Sequence, residues 1–226
     1  MKFDKELSAE YERGIRRTLP SYDAMLRLSQ AFLQMALPEK AHILIAGVGS
    51  GNELLHFADA NHAWQFTALD PSQAMLAITK QKLSEQAVQN CTQLVEGTVL
   101  NASLTNQFDG ATCLLVLHFI KTRAEQVATI KKLAQHLKQG APFIVVCKCG
   151  KQGTEQTEQQ FDLWRAYWLQ NTKLSVEQVA SMEKQIRSLS FITEQEMLCI
   201  LNDAGFEKIT RFFSTTLFCG WTCYKK

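Results

Sequence analysis

The sequence predicts an α/β protein: a doubly wound, mostly parallel sheet that ends in an antiparallel hairpin. Three observations predict it. Short apolar runs alternate with amphipathic stretches between residues 43 and 146, the rhythm of repeated strand–helix–strand units. The first apolar run, Ile43 to Ala46, passes through Gly47, Gly49 and Gly51 into a helical stretch near Asn52. Two strand-like runs close the chain, about Lys208 to Phe213 and Leu217 to Tyr224, with only Ser214-Thr215-Thr216 between them. A connection that short pairs strands antiparallel.

In chain order, residues 3–20 read as a charged, partly helical arm that contains Tyr11, Arg13, Arg16 and Arg17 and ends at Pro20. Ser21 is placed to cap a helix from Tyr22 to Leu37, with Met25, Leu26, Phe32, Leu33 and Ala36 on one face; Pro38 stops it. The glycine strand and its helix run to about Ala60. The next strand, Trp64 to Leu69, ends at Asp70, 23 residues past Gly47. Pro71 presets a helical turn and Ser72 offers a cap, and Met75, Ile78 and Leu83 mark that helix's inner face. A third strand lies near Gln93 to Val95. A fourth, Ala111 to Leu117, is almost wholly apolar, as a strand covered on both faces should be. Thr122 and Glu125 form a capping box for a helix carrying Val127, Ile130, Leu133 and Leu137. Gly140 ends that helix, and Phe143 to Val146 is the fifth strand.

Residues 151–190 break the rhythm. They are polar, with Phe161, Trp164, Tyr167 and Trp168 at helical spacing and a second capping box at Ser175 and Gln178, and read as two helices inserted before the last one. Thr193 and Glu196 cap that last helix, which ends at Ala204-Gly205-Phe206. The expected organisation is a single domain over residues 1–226, with a helical lid at 1–37 and a helical insertion at 151–190.

Composition sets bounds on function. The chain has 226 residues, 46% of them hydrophobic, and a net charge of +2, enough for one large α/β core and too little charge to imply an obligate nucleic-acid partner. Residues 41–110 are net acidic and residues 111–226 net basic. The seven cysteines are odd in number and most sit in strand-like runs. No spacing among them suits a metal site, so they read as buried reduced thiols in a reducing compartment. The start, MKFDKELSAEYERG, has no apolar signal core, and no run is long enough to span a membrane. A cytoplasmic location without membrane partners is expected.

The glycine turn carries chemistry. A strand that enters a helix through glycines brings backbone N–H groups and a positive helix end close to a ligand. An acid at the end of the following strand stands where nucleotide-binding α/β folds hold ribose hydroxyls. His118, just past strand four, is the candidate catalytic residue, although a lone histidine is more often structural.

These residues resemble the class I S-adenosylmethionine-dependent methyltransferase family, a Rossmann-like seven-stranded fold. Gly47-Val48-Gly49-Ser50-Gly51 resembles its glycine motif, and Leu69-Asp70-Pro71-Ser72 followed by Met75 its ribose motif. Glu96-Gly97-Thr98-Val99 sits where the adenine-contacting turn falls. Leu137-Lys138-Gln139-Gly140-Ala141 and Ala204-Gly205-Phe206 resemble the turns before strands five and six. The segment Arg16 to Tyr22 is similar to the entry segment of the branch that includes carboxy-S-adenosylmethionine synthase and small-molecule methyltransferases, in which the tyrosine matching Tyr22 lies over the cofactor. The resemblance implies S-adenosylmethionine as cofactor, held by Tyr22, Ala46, Gly47, Gly49, Asp70, Pro71, Met75, Thr98, Val99 and Leu115.

The chain departs from the family pattern at three places. Ile45 stands where an acid often precedes the first glycine, which removes a polar contact near the methionine end of the cofactor. Thr98 stands where an aspartate often follows the third motif's glycine. Ala180 aligns with the arginine that the synthase branch uses for its extra carboxylate, which favours an ordinary methyl donor.

Methyl transfer from a sulfonium is an in-line displacement in which the protein mainly supplies alignment and a dry site. The implied function is methylation of a small-molecule acceptor, with a homodimer possible. A tRNA-modifying enzyme, a carboxy-S-adenosylmethionine-related enzyme and a non-catalytic cofactor-binding protein are the alternatives. A nicotinamide-dependent oxidoreductase would need glycine or alanine at position 52, where this chain has asparagine. Leu117-His118-Phe119-Ile120 replaces the Asn-Pro-Pro-Tyr type of motif that amino-group methylation of DNA bases uses.

Overall fold

The computed structural model describes residues 14, 16, 19–88, 90, 92–105 and 107–226. Tyr11 and most of the expected arm lie outside the described residues. The elements in order are α1 (Tyr22–Ala36), β1 (His42–Ala46), α2 (Asn52–Ala60), β2 (Gln65–Asp70), α3 (Gln73–Glu85), β3 (Thr92–Glu96) and β4 (Gly110–Leu114). They continue with α4 (Arg123–Gln135), β5 (Pro142–Lys148), α5 (Glu155–Asn171), α6 (Val176–Arg187), α7 (Glu194–Asp203), β6 (Phe206–Thr215) and β7 (Phe218–Lys225). They form a seven-stranded sheet in the order β3-β2-β1-β4-β5-β7-β6. The first five strands are parallel; β7 runs antiparallel to both β5 and β6.

The continuous apolar runs follow from burial on both faces of this sheet. In β1, Ile43 and Ile45 face one layer and Leu44 and Ala46 the other. The first layer takes Met25, Leu26 and Leu33 of α1, Leu54 and Phe57 of α2, Phe161, Trp164 and Trp168 of α5, and Val179 and Ile186 of α6. The second takes Ile130 and Leu133 of α4 and Met197 and Leu201 of α7. Phe143 of β5 stacks on Phe206 of β6, with centroids 4.9 Å apart and planes 17° apart.

Five local expectations change. Strand β4 stops at Leu114, not Leu117: Leu115 takes a left-handed φ of 61° and Leu117–Phe119 form a 3₁₀ turn. Helix α4 ends at Gln135, so Leu137 is buried in a bridge with Phe108 and not on the helix. On α3, Thr79 takes the fully buried position beside Met75, and Ile78 is half-exposed. Ser21 sits at the start of α1 but its hydroxyl makes no capping bond and is buried without a partner. The boxes at Ser175–Gln178 and Thr193–Glu196 are fully formed. At Thr122–Glu125 the Thr122 hydroxyl accepts from the Glu125 N–H and bonds its carboxylate, and the return bond to the cap N–H is missing.

Lys148 at the end of β5 is fully buried. It donates to the carbonyls of Ile186 and Leu189 at the end of α6 and lies 3.4 Å from the Phe191 ring centroid. Its stem therefore packs in the core while its ammonium satisfies carbonyls that a helix end leaves open. Burial pushes its pKa down to about 7, with Arg187 adding in the same direction.

The stacked pair ties the parallel half of the sheet to its antiparallel edge. Phe143→Ala should leave a cavity where Phe143 meets Phe206 and cost about 3–5 kcal/mol. Urea unfolding checks this: the midpoint should fall by the corresponding amount at unchanged slope.

Candidate active site

The chain reverses direction across the sheet between β1 and β4, which are neighbours. Open α/β sheets bind ligands at the carboxyl ends of strands at such a switch point. Here the ends of β1, β2 and β4 supply Gly47 to Gly51, Asp70, and Leu114 with Leu115.

The glycine turn is built from backbone that other residues resist. Gly47 has φ of 78°, and a Cβ there would lie 2.4 Å from Cγ2 of Val116. Gly49 has φ of 54° and nothing within 4 Å of a Cβ. Its glycine is thus required by conformation, and the space beside it is open. The N–H groups of Gly47 and Val48 both donate to the Leu69 carbonyl, each at 2.8 Å.

Asp70 fastens this turn. One carboxylate oxygen accepts from the Gly49 N–H and the other from the Ser72 N–H, both at 2.9 Å. Its own carbonyl accepts from the Gly97 N–H at 3.0 Å. Burial raises its pKa, and the Ser72 and Gly49 bonds act against that rise.

Tyr22, Met25 and Leu26 of α1 roof a narrow cavity floored by Gly47 to Ser50, Asn52, Glu53, Leu114 and Leu115. Its volume is about 40 Å³, room for a few waters. The Tyr22 phenol is buried, and burial pushes its pKa up to about 12 against the opposing effect of the neighbouring Asn52 amide. Glu53, in the first turn of α2, is buried; its Oε1 has no hydrogen-bond partner, nor has the Thr112 hydroxyl. Burial pushes its pKa up to about 8, and Thr112 opposes this.

Four of the expected cofactor residues therefore meet at one cavity: Tyr22, Gly47, Gly49 and Leu115. Asp70 joins them through Gly49, and Ala46 leads into the turn. Pro71, Met75, Thr98 and Val99 do not line the cavity. They lie along the ends of β2 and β3, where Met75 and Val99 are buried, Pro71 is exposed, and the Thr98 N–H and hydroxyl both turn to Asn101. His118 does not line the cavity either. It is buried in the 3₁₀ turn with Nδ1 accepting from the Lys148 N–H at 3.3 Å, its ring against Phe119 and Phe218. Burial, with Lys148 second, pushes its pKa down to about 3. A neutral ring whose acceptor nitrogen is occupied does not serve as a base at that atom.

Glu53, Asn52, Met25 and Leu26 line the same cavity, and the sequence reading did not single them out as ligand contacts. The signal for Glu53 was present: it precedes Leu54 on the apolar face of a short helix, a place where an acid has no solvent to face. Among the described residues, no three His, Cys, Asp or Glu side chains are placed to hold a metal, and no helix is long and apolar enough to cross a membrane. The six described cysteines are free thiols.

Residues 44–143 match the family model described as a methyltransferase domain. Carboxy-S-adenosyl-L-methionine synthase of Campylobacter concisus is 22% identical over 225 residues, covering 99% of this chain and 94% of the relative. The Campylobacter jejuni protein of that name is 23% identical over 229 residues, with the same shares covered. Among solved structures, magnesium protoporphyrin IX methyltransferase from Synechocystis with bound SAH superposes with a TM-score of 0.66 at 18% identity, covering 94% of this chain and 87% of that one. The 1,6-didemethyltoxoflavin-N1-methyltransferase of Burkholderia thailandensis gives 0.63 at 16% identity, covering 97% and 87%. Likeness at that identity is a likeness of fold.

Glu53 makes stability depend on pH. Its folded pKa of about 8 exceeds the ordinary 4.5, so the folded chain holds a proton that the unfolded chain releases. The folded state is then favoured below the ordinary value and loses that advantage as pH rises towards 8. Glu53→Gln removes this term. The melting temperature of the variant minus that of the parent should rise between about pH 5 and 8 and level off above, which thermal scans in matched buffers check.

Proposed function

We propose that this chain, a class I S-adenosylmethionine-dependent methyltransferase, methylates a small-molecule acceptor beside the cavity under α1. The observation that carries the reading is the Asp70 clasp on the Gly49 turn at the switch point of the sheet. The fit to the cofactor rests on two features: open space at Gly49 and a buried acid at the end of β2. S-adenosylmethionine, when bound, supplies an activated methyl group. The chain's own work is to bind and orient. Asp70 accepts from the ribose hydroxyls, Gly47 and Gly49 let the ligand approach the backbone, and Leu114 and Leu115 keep water out.

The small-molecule acceptor is supported by the fold neighbours, which include methyltransferases named for porphyrin and toxoflavin substrates. Residues 1–37 act as a lid in this reading. In this reading the start of α1, where Tyr22, Met25 and Leu26 line the cavity, opens to admit the cofactor and closes to exclude water. The expected cytoplasmic location belongs to the same reading.

A second reading is favoured by the relatives named carboxy-S-adenosyl-L-methionine synthase. It requires a cation for an additional carboxylate. Ala180 is exposed on α6 and offers none. Arg187 is engaged by Glu158 and Glu183, and Arg16 by Asp23.

Calorimetry tests both. Asp70→Ala should weaken S-adenosylmethionine by about 1.5–3 kcal/mol, and Tyr22→Ala should also lower affinity. Unchanged affinity in the first variant would sink the ribose assignment, and tighter binding of NAD than of S-adenosylmethionine would sink the whole reading. In a competition titration the plain cofactor should displace the carboxylated one; the reverse preference establishes the second reading.

A further inference from the structure

Asp70 holds only half of the Gly49 turn. Gly49 joins two peptide units. The first, Val48–Gly49, is fixed at both ends: its N–H donates to Asp70 at 2.9 Å, and its carbonyl accepts from the Gly51 N–H at 3.0 Å. The second, Gly49–Ser50, is fixed at its carbonyl by the Thr79 hydroxyl, 2.8 Å away. Among the described residues no other donor reaches that carbonyl. Both Gly49 and Ser50 line the cavity under α1.

Thr79 lies inside α3 with no exposed surface. A threonine within a helix usually turns its hydroxyl to solvent or to the carbonyl four residues back. Here the hydroxyl reaches across to another segment of the chain, 30 residues earlier. A buried hydroxyl is costly unless it is bonded, and valine has the same shape with no hydroxyl to satisfy. The side chain also packs on the turn. A Cβ on Gly51 would lie 2.9 Å from Thr79 Cγ2 and 3.0 Å from its Oγ1. Thr79 therefore meets the turn twice, by a hydrogen bond at Gly49 and by contact at Gly51. One helical turn on, Lys82 donates to the Asn52 side chain at 3.0 Å, and Asn52 lines the same cavity. Helix α3 thus braces both the turn and the first residue of α2.

We infer that Thr79 is a positioning residue for cofactor binding, its hydroxyl holding the Gly49–Ser50 peptide in the orientation that the ligand meets. The inference rests on the S-adenosylmethionine reading for the identity of that ligand. Gly49, with φ of 54°, is free to rotate the peptide once the hydrogen bond is gone. A protein that spends part of its time with the peptide turned binds more weakly, in proportion to the fraction that remains competent. The effect reaches the ligand through the backbone, since Thr79 does not itself line the cavity.

The test compares side chains that differ in the hydroxyl, in calorimetry of the full chain. Thr79→Val should weaken S-adenosylmethionine by about three- to tenfold, and Thr79→Ser should keep the parental affinity. Thr79→Ala against Thr79→Ser repeats the comparison without the methyl group, so the answer does not depend on whether the valine variant folds. Unchanged affinity in the variants without a hydroxyl, whatever their melting temperatures, would make Thr79 a packing residue and overturn the inference. Equal loss in Thr79→Ser and Thr79→Val would assign the effect to the methyl group and overturn it too. A second measurement needs no ligand. In the free protein, the Gly49 and Gly51 amides of Thr79→Val or Thr79→Ala should exchange hydrogen faster than in the parent, while the Val145 amide in β5 keeps its protection. Unaltered exchange at Gly49 and Gly51 overturns the inference. A parent protein that does not bind S-adenosylmethionine overturns the cofactor reading instead, and the exchange result then decides by itself whether Thr79 holds the turn.

Discussion

The structure of the site depends on one carboxylate. Asp70 ends β2, receives the N–H of Gly49 from the turn after β1 and the N–H of Ser72 ahead of α3, and gives its carbonyl to Gly97 after β3. Three strand ends are thereby held to one residue. A buried carboxylate is costly unless donors surround it, so the turn and the acid require each other. The left-handed glycines allow the N–H to point at Asp70, and Asp70 fixes a turn that glycine alone would leave loose. The direction of α2, and with it the placing of Asn52 and Glu53 under α1, follows from that turn.

Much of this was legible in the residues. The strands β1 and β5 read as continuous apolar runs because both sheet faces are covered. The antiparallel hairpin was visible in the short Ser-Thr-Thr connection, and the caps at Ser175 and Thr193 in a serine or threonine followed three residues later by glutamine or glutamate. Asp70 was legible because position relative to the glycine turn is a property of the chain order. What escaped reading depends on contacts between distant segments. Leu115 is left-handed because its N–H meets the Val146 carbonyl across the sheet, and no local pattern announces that. His118 looked like a site residue by its distance from β4, yet its nitrogen is taken by Lys148, 30 residues later. Glu53 escaped because an acid in a helix's first turn ordinarily complements the helix dipole at the surface; here the first turn is inside. The expected place for an acid was position 45, where the chain has a buried isoleucine.

The buried titratable groups have a joint effect that none has singly. The His118 pKa of about 3 against an ordinary 6.5 favours folding increasingly as pH rises across that interval. Lys148, at about 7 against 10.5, acts in the same sense over a more alkaline interval. Glu53, at about 8 against 4.5, acts in the opposite sense and overlaps both. The acid's falling contribution is thus met first by the imidazole and then by the ammonium. The acid opposes the imidazole between about pH 4.5 and 6.5 and the ammonium between about pH 7 and 8, so these interior protons partly cancel in the pH dependence of folding.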